Sequence, residues 1–214
     1  MRKLVIALAM MLFTATSALA AVNVSIGINL PVYPRLIPVP GYPVYYAPGV
    51  DSNYFFYDGA YWVYENDNWY ASSWYNGPWR LIDPFAVPLY VLRVPVRYYR
   101  RPPVYFRGWR VSEAPRWGDH WGRDWATRNH GWEHWNRATA PRAAPLPTYQ
   151  RRYAGDQYPR VEQQVPLHTQ SYRYQPKEAV VREHYQEQRQ QQREGRGEGR
   201  GEARGQDRPH GQQR

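Results

Sequence analysis

The sequence predicts a mainly β protein: a small antiparallel meander rich in aromatic side chains, one amphipathic helix packed on it, and a disordered C-terminal tail. Three observations lead to this fold class. Residues 54–79 include twelve aromatic residues among 26, divided by turn-forming pairs at short intervals. A later segment places tryptophans at helical spacing. The chain then becomes rich in Gln, Arg and Gly, a composition that buries too little apolar surface to fold.

Turn signals define the strands of the meander. Asp58 and Gly59 suit a two-residue type I′ hairpin, residues 66–68 (Asn-Asp-Asn) suit a longer polar loop, and Asn76 with Gly77 marks a third turn. Pro78 then forbids further pairing. The predicted strands are therefore residues 54–57, 60–65, 69–75 and 79–82.

Two flanking segments are expected to complete this meander, because four short strands make a marginal domain on their own. Residues 21–29 alternate apolar and polar side chains, as a half-buried strand does. Residues 84–96 resemble edge material, where proline does little harm. Six prolines between residues 31 and 48 predict an extended strap that cannot donate regularly to a sheet.

The spacing of tryptophans after residue 111 predicts a single helix over residues 113–137. At about 100° per residue, five of them fall on one narrow stripe: Trp117, Trp121, Trp125, Trp132 and Trp135. Three glycines within the segment oppose the helix, each by about 1 kcal/mol relative to alanine. We still expect a helix, since such a stripe needs a surface against which to be buried, and the aromatic sheet provides one.

The N-terminus has the three parts of a secretory signal peptide, predicted to span residues 1–20. Its apolar run over residues 4–13 is too short to cross roughly 30 Å of hydrocarbon as a helix. The protein is therefore predicted to be periplasmic or secreted, with no transmembrane span after cleavage. The mature chain is divided into the meander domain with Pro-rich straps (21–110), the Trp-striped helix (111–140) and a disordered basic tail (141–214), in which residues 177–193 could form a solvated helix.

Charge is distributed unevenly along the chain. Residues 21–92 include two basic and five acidic side chains, whereas residues 93–137 include ten and four. Such asymmetry predicts contact with polyanions, and export favours anionic envelope polysaccharide or lipid headgroups over nucleic acid. The arginines predicted to make these contacts are Arg97, Arg100, Arg101, Arg107 and Arg110.

The chemistry expected of an enzyme has little support. The chain has no cysteine, which excludes disulfides, thiolate metal sites and a cysteine nucleophile. Every histidine lies at or beyond His120, outside the predicted sheet, and the acidic residues before it are mostly in turn contexts. His120, His130 and His134 could meet a divalent metal, but solvated histidines are the commoner explanation of this spacing. We therefore predict no catalytic residue, no metal site and no cofactor.

The aromatic side chains of the sheet allow two interpretations. Trp62, Trp69, Trp74 and Trp79 could stack on sugar faces if they are exposed, with nearby Asn and Asp side chains taking the hydroxyls. They could instead form the core, because this part of the chain has few aliphatic residues with which to build one. The second interpretation is favoured.

Two motifs resemble those of a known group. The first includes Asp58, Gly59, Tyr61 and Trp62, then Trp69 and Tyr70, and residues 75–79 (Tyr-Asn-Gly-Pro-Trp); the second is residues 116–125 (Arg-Trp-Gly-Asp-His-Trp-Gly-Arg-Asp-Trp). Together they resemble a group of uncharacterised exported proteins of Gram-negative bacteria, over roughly residues 22–137. The resemblance implies a periplasmic or otherwise exported location and a shared architecture, but no activity, ligand or catalytic residue.

These observations lead to one functional prediction and one alternative. The protein is predicted to be an exported, non-enzymatic, envelope-associated binding or structural protein that contacts anionic envelope components through its basic region. The alternative is a glycan-binding module that uses the aromatic residues of the sheet. No feature of the sequence predicts an oligomeric state.

Overall fold

A seven-stranded antiparallel sheet of order β1-β7-β6-β5-β4-β3-β2 forms the centre of the computed structural model, which describes residues 23–205. The predicted signal peptide, residues 1–20, lies outside the described residues. The strands are β1 (Asn23–Val24), β2 (Ile37–Pro38), β3 (Tyr45–Tyr46), β4 (Asn53–Tyr57), β5 (Ala60–Glu65), β6 (Asn68–Ser72) and β7 (Trp79–Ile82).

The central hairpins confirm the predicted antiparallel meander. Asp58 and Gly59 have φ values of 51° and 88°, as a type I′ turn requires. The loop predicted at residues 66–68 is instead a second two-residue turn: Asn66 and Asp67 have φ values of 48° and 64°, and Glu65 pairs directly with Asn68. Asn and Asp tolerate this left-handed conformation, so neither position needs glycine.

The flanking segments differ from the predictions. Of the described part of the strand predicted at residues 21–29, which is residues 23–29, only Asn23 and Val24 pair with the sheet, on the edge of β7. The proline-rich strap does contribute to the sheet, since β2 and β3 form a short hairpin at the opposite edge, where a strand can accommodate proline. Residues 84–96, predicted as edge material, form helix α1 (Leu89–Leu92) and the start of a 3₁₀ turn (Val96–Tyr98).

The single helix predicted over residues 113–137 is divided. Helix α2 (Trp117–Trp121) ends at Gly122, whose φ of 85° interrupts the helical path, and α3 (Arg123–Arg128) follows. A second left-handed glycine, Gly131, prevents any continuation. Further 3₁₀ turns span Val104–Phe106, Arg137–Thr139, Thr148–Arg152 and Gly155–Gln157. The glycines therefore prevented the continuous helix that the tryptophan spacing predicted, although Trp117, Trp125 and Trp132 are still buried in the core on one side of the sheet.

The C-terminal third is more ordered than predicted. It contains α4 (Val161–Ser171) and α5 (Ala179–Gly205). Buried side chains occur along it, among them Gln150, Gln164, Tyr172 and Val181, so the prediction of disorder beginning at residue 141 has to be corrected. Any disordered tail must begin beyond this packed region; residues 206–214 lie outside the described part of the chain.

Helices also outweigh strands in length. Helix α5 alone has 27 residues, whereas the longest strand has six. The antiparallel aromatic sheet is thus the centre of a mixed α and β structure, and "mainly β" describes only that centre. In residues 23–205, no helix is both long enough and apolar enough to cross a membrane.

The sheet is buried on both faces. One side, here called the tryptophan face, bears Phe55, Trp62 and Trp69 and is covered by residues 87–132, including Trp117 and Trp125. The other side, the tyrosine face, bears Tyr54, Tyr61 and Tyr75 and is covered by residues 26–36 and 144–174. Because both faces are covered, strand β4 is buried at all five positions.

Candidate functional site

The four tryptophans predicted as a glycan platform all lie in the core. Trp62 and Trp74 are 0% exposed, and Trp69 and Trp79 are 2% exposed. None of the ten tryptophans of the chain, all of which fall in the described region, is fully solvent-exposed. A sugar could stack on none of the four platform rings without opening the core, so the glycan-platform hypothesis lacks the exposed rings that it requires.

The packing of these indoles is that of structural residues. The indole N–H of Trp62 donates to the Tyr57 carbonyl at 3.2 Å, and that of Trp74 donates to the Gln164 carbonyl at the same distance. Trp69 lies between aromatic neighbours, with its ring centroid 5.0 Å from that of Tyr64 and 6.0 Å from that of Trp117. Such contacts are the aromatic pairs from which a core with few aliphatic residues can be built.

The five arginines predicted to contact anions are all exposed, on a surface that we call the arginine segment, residues 93–110. Two of them have acidic partners: Arg101 donates from Nε to Asp51 at 2.8 Å, and Arg110 lies 3.0 Å from Glu113. The hydrogen bond from Arg101 lowers the pKa of Asp51. Among the described residues, no ion pair involves Arg97, Arg100 or Arg107, so their charges are directed to solvent.

The backbone of the arginine segment is anchored to the rest of the fold. Tyr99 and Phe106 are buried and anchor it: the ring of Tyr99 lies 5.1 Å from that of Phe55, and the ring of Phe106 lies 5.6 Å from that of Trp117. The buried side chain of Asn53 holds the middle of the segment, because it accepts from the Arg101 N–H at 2.8 Å and donates to the Arg101 carbonyl at 2.7 Å. The exposed guanidinium groups are therefore presented from a fixed backbone.

A cluster around Asp67 joins the second hairpin turn to this segment. Its carboxylate accepts from the hydroxyls of Tyr64 at 2.6 Å and Tyr105 at 2.8 Å, and it lies 2.9 Å from Nε2 of His120. The His120 ring stacks on Tyr105 with 4.0 Å between centroids. Partial burial raises the pKa of Asp67, but the two hydroxyls and the imidazole outweigh it and lower the pKa below its ordinary value. The sequence showed Asp67 only as a turn residue.

The three histidines considered for a metal site are not brought together as ligands. His120 is used by the Asp67 cluster. Within residues 23–205, no group of three or more His, Cys, Asp or Glu side chains has a geometry suited to holding a metal ion.

A large groove lies on the other side of the molecule, where β7, α4 and α5 meet. It has a volume of about 1190 Å³, and Arg80, Tyr158, Gln164 and Gln188 are among the side chains that line it. The guanidinium of Arg80 forms an ion pair with Glu187 at 2.6 Å across it. No sequence pattern indicated this groove, because most of its walls belong to the region predicted to be disordered.

Two buried histidines lie beside the groove, on α4 and α5. His168 accepts from or donates to the Tyr149 hydroxyl through Nδ1 at 2.8 Å, whereas its Nε2 has no hydrogen-bond partner within residues 23–205. Burial, with a smaller effect from Arg189, lowers the pKa of His168 to about 4. Burial, with smaller effects from Arg80 and His168, lowers the pKa of His184 to about 3. Both imidazoles are therefore neutral near neutral pH.

The Asp58–Gly59 turn has a second role that its sequence did not reveal. The Asp58 carboxylate accepts from the backbone N–H groups of Lys177 and Glu178, at 2.8 and 2.7 Å, just before the start of α5. The Gly59 carbonyl accepts from the Tyr185 hydroxyl at 2.6 Å. A carboxylate at a helix N-terminus satisfies free N–H groups and complements the helix dipole. The first hairpin therefore caps the last helix.

Compared with known proteins, the chain matches no protein-family model, no curated protein and no solved structure. The arginine segment and the groove are therefore interpreted from their own geometry.

Proposed function

We propose that this is an exported, non-enzymatic binding or structural protein of the cell envelope, and that the arginine segment contacts anionic envelope components. The observation that carries the proposal is that buried Tyr99 and Phe106 fix this segment while five of its six arginines face solvent. A fixed backbone reduces the conformational entropy lost when the side chains bind. The resemblance of residues 22–137 to exported Gram-negative proteins supports the location.

The proposed ligand chemistry is a surface or polymer with repeated negative charge. Arg97, Arg100 and Arg107 have no acidic partner among the described residues, so no internal ion pair has to be broken when they bind. Lipid phosphates and acidic polysaccharides both provide such charge. The rings of the sheet are buried and cannot stack on a glycan. The alternative, a glycan platform, is therefore without support at the four predicted residues, Trp62, Trp69, Trp74 and Trp79.

The test is a triple substitution, Arg97→Gln, Arg100→Gln and Arg107→Gln, in the full chain. Each basic residue near an anionic surface contributes about 1 kcal/mol, so the variant should bind vesicles containing phosphatidylglycerol about a hundredfold more weakly at low salt. Co-sedimentation measures this binding. A parallel assay on immobilised alginate, a polymer of uronic acids, distinguishes lipid phosphate from polysaccharide carboxylate as the ligand.

The matched control keeps the same change in net charge. It replaces three exposed arginines outside the segment, Arg142, Arg173 and Arg189, with Gln, and it should retain most of the binding. An equal loss in both variants would mean that the protein responds only to net charge, and this would contradict a role for the arginine segment. Failure of the wild-type protein to bind either ligand would contradict the proposal as a whole.

A further inference from the structure

The groove between β7, α4 and α5 has the dimensions of a ligand site. Its volume of about 1190 Å³ is slightly above the range of roughly 300–1,000 Å³ that is common for small-molecule pockets. It is open along one side and is formed by residues that are far apart in the sequence, from Pro78 to Gln192. It therefore has room for an elongated ligand of several linked units.

Glutamine is the most frequent residue type in the walls of the groove. Six glutamines line it: Gln157, Gln163, Gln164, Gln170, Gln188 and Gln192. Each amide presents both a donor and an acceptor. A hydroxyl group also acts as donor and acceptor, so a ligand with many hydroxyls matches this lining better than one that only donates or only accepts.

Gln164 adds a second observation at this wall. The residue is 3% exposed, and its Nε2 donates to the Pro159 carbonyl at 3.1 Å. Its Oε1 is buried and has no hydrogen-bond partner in the described part of the chain. Buried acceptors are rarely left without a partner, because the loss of water is then not compensated. A ligand hydroxyl held against this residue would be a matching donor for that oxygen.

Two tyrosine rings are fixed at the same wall. The Tyr153 carbonyl accepts from the Tyr75 hydroxyl at 2.6 Å, and the Tyr158 hydroxyl donates to the Gly77 carbonyl at 2.7 Å. Both rings are half-buried, pack edge-to-face against Trp74, and line the groove. A half-buried ring held in place in this way offers an apolar surface against which the C–H face of a sugar can pack.

The charges of the groove exclude a strongly anionic ligand. Its lining includes two arginines, Arg80 and Arg160, against three acidic residues, Asp156, Glu162 and Glu187. Arg80 is already paired with Glu187. The groove thus differs from the arginine segment, where three guanidinium groups have no internal partner.

From the amide lining, the buried acceptor of Gln164, the two fixed rings and the balanced charge, we infer that this groove binds a short neutral oligosaccharide. The inference does not depend on the function proposed for the arginine segment, since the two surfaces share no residue.

The experiment screens the full-length protein against an array of neutral oligosaccharides of two to six sugars, and then measures the best ligand by titration calorimetry. Val161 is 48% exposed at the groove wall, so Val161→Trp should place an indole in the groove without disturbing the core, obstruct part of the groove and weaken binding. Gln164→Leu should weaken binding about tenfold, the usual effect of one lost hydrogen bond. The control Gln186→Leu changes an exposed residue of α5 outside the groove and should leave binding unchanged.

Thermal melting of each variant separates loss of the site from loss of folding. Should Gln164→Leu fail to fold, the exposed position of Val161 keeps the test valid. The inference is overturned if no array member binds, if Val161→Trp binds as well as the wild type, or if an uncharged glycine and glutamine peptide binds more tightly than any sugar. Binding that survives the triple arginine substitution but is weakened by Val161→Trp would support the groove separately from the arginine segment.

Discussion

The two faces of the sheet are built from different aromatic chemistry. On the tryptophan face, indoles from residues 87–132 cover the strands, and their N–H groups donate to nearby carbonyls, as Trp117 does to Leu92 at 3.0 Å. On the tyrosine face, the covering segments come from both ends of the chain, and tyrosine hydroxyls donate to backbone carbonyls, as Tyr172 does to Pro145 at 2.5 Å. Both faces therefore combine buried apolar area with directed hydrogen bonds, but the donors are indole N–H groups on one face and tyrosine hydroxyls on the other.

This difference explains why a polar, glutamine-rich segment can fold. A tyrosine buries nearly as much apolar area as a phenylalanine and still satisfies a backbone carbonyl. Gln150 acts similarly: it is 0% exposed, accepts from the Tyr61 hydroxyl and the Tyr75 N–H, and donates to the Ser73 carbonyl. Low average hydrophobicity therefore does not exclude burial when each buried polar group has a partner.

Removing a central ring of the tryptophan face should have the largest effect. Trp117 is 0% exposed and touches Trp69, Tyr99 and Phe106. Trp117→Ala should lower the free energy of unfolding by about 3–5 kcal/mol, because it removes buried area and leaves a cavity. Urea denaturation followed by circular dichroism measures this loss. The half-buried Trp109 is the control, and an equal loss for Trp109→Ala would contradict the assignment of Trp117 to the core.

Acidification should weaken the C-terminal side selectively. His168 has a folded pKa of about 4 and His184 of about 3, both below the ordinary value of 6.5. As pH falls below 6.5 the unfolded chain takes up protons first, so this stability is present above about pH 6.5 and is lost as pH falls towards 4 and 3. One pKa unit corresponds to about 1.4 kcal/mol, so protonation of each histidine should lower the free energy of unfolding by about 2 kcal/mol between pH 7 and pH 5.

A pair of variants separates the effect of the histidines from that of other titrating groups. Burial raises the pKa of Glu178, for example, so protonation of Glu178 on acidification favours the folded state. His168→Gln should flatten the pH dependence of the melting temperature between pH 7 and pH 5. His134→Gln changes an exposed histidine and should leave that dependence as it is in the wild type. A wild-type melting temperature that does not change over this range would contradict the neutral, buried state of both rings.

The smallest expected effect concerns the two hairpin turns. Asp58→Asn keeps a residue that tolerates positive φ but replaces Oδ2, the acceptor for Lys177 and Glu178, with a donor. We expect a loss of about 1 kcal/mol, typical of a helix cap. The amides of residues 179–182 should then exchange with solvent faster in hydrogen-exchange measurements. Asp67→Asn, at the other turn, should leave exchange in α5 unchanged; faster exchange in α5 in both variants would show that the cap is not specific.

The sheet could be predicted from the sequence because its signals are local. A type I′ turn at Asp58 and Gly59 depends on two adjacent residues, and the strands on either side follow from it. The helix over residues 113–137 was predicted only in part: its tryptophan spacing correctly indicated burial against the sheet, but Gly122 and Gly131 broke the helix by taking positive φ. The spacing of apolar residues therefore predicts which side chains are buried more reliably than it predicts the conformation of the backbone that carries them.

The C-terminal side could not be predicted because its stability comes from contacts that are distant in the sequence. Nothing near Gln150 or Gln164 indicates burial, and composition alone points to disorder. The groove could not be predicted for the same reason, because its walls form only when α4 and α5 pack beside β7. The sequence also did not indicate the folded backbone that Tyr99, Phe106 and Asn53 impose on the arginine segment.

The contact between the first hairpin and the last helix also bears on the order in which the protein can be assembled. Asp58 meets Glu178 across 120 positions of the sequence, and Gly59 meets Tyr185 across 126. During synthesis, the strands emerge long before residues 144–174, which cover part of their tyrosine face, and before Lys177 and Glu178, which bind the Asp58 turn. A chain stopped near residue 140 would therefore leave part of that aromatic surface uncovered, and exposed surface of this kind drives aggregation. The polar C-terminal region thus shields aromatic surface that is made before it.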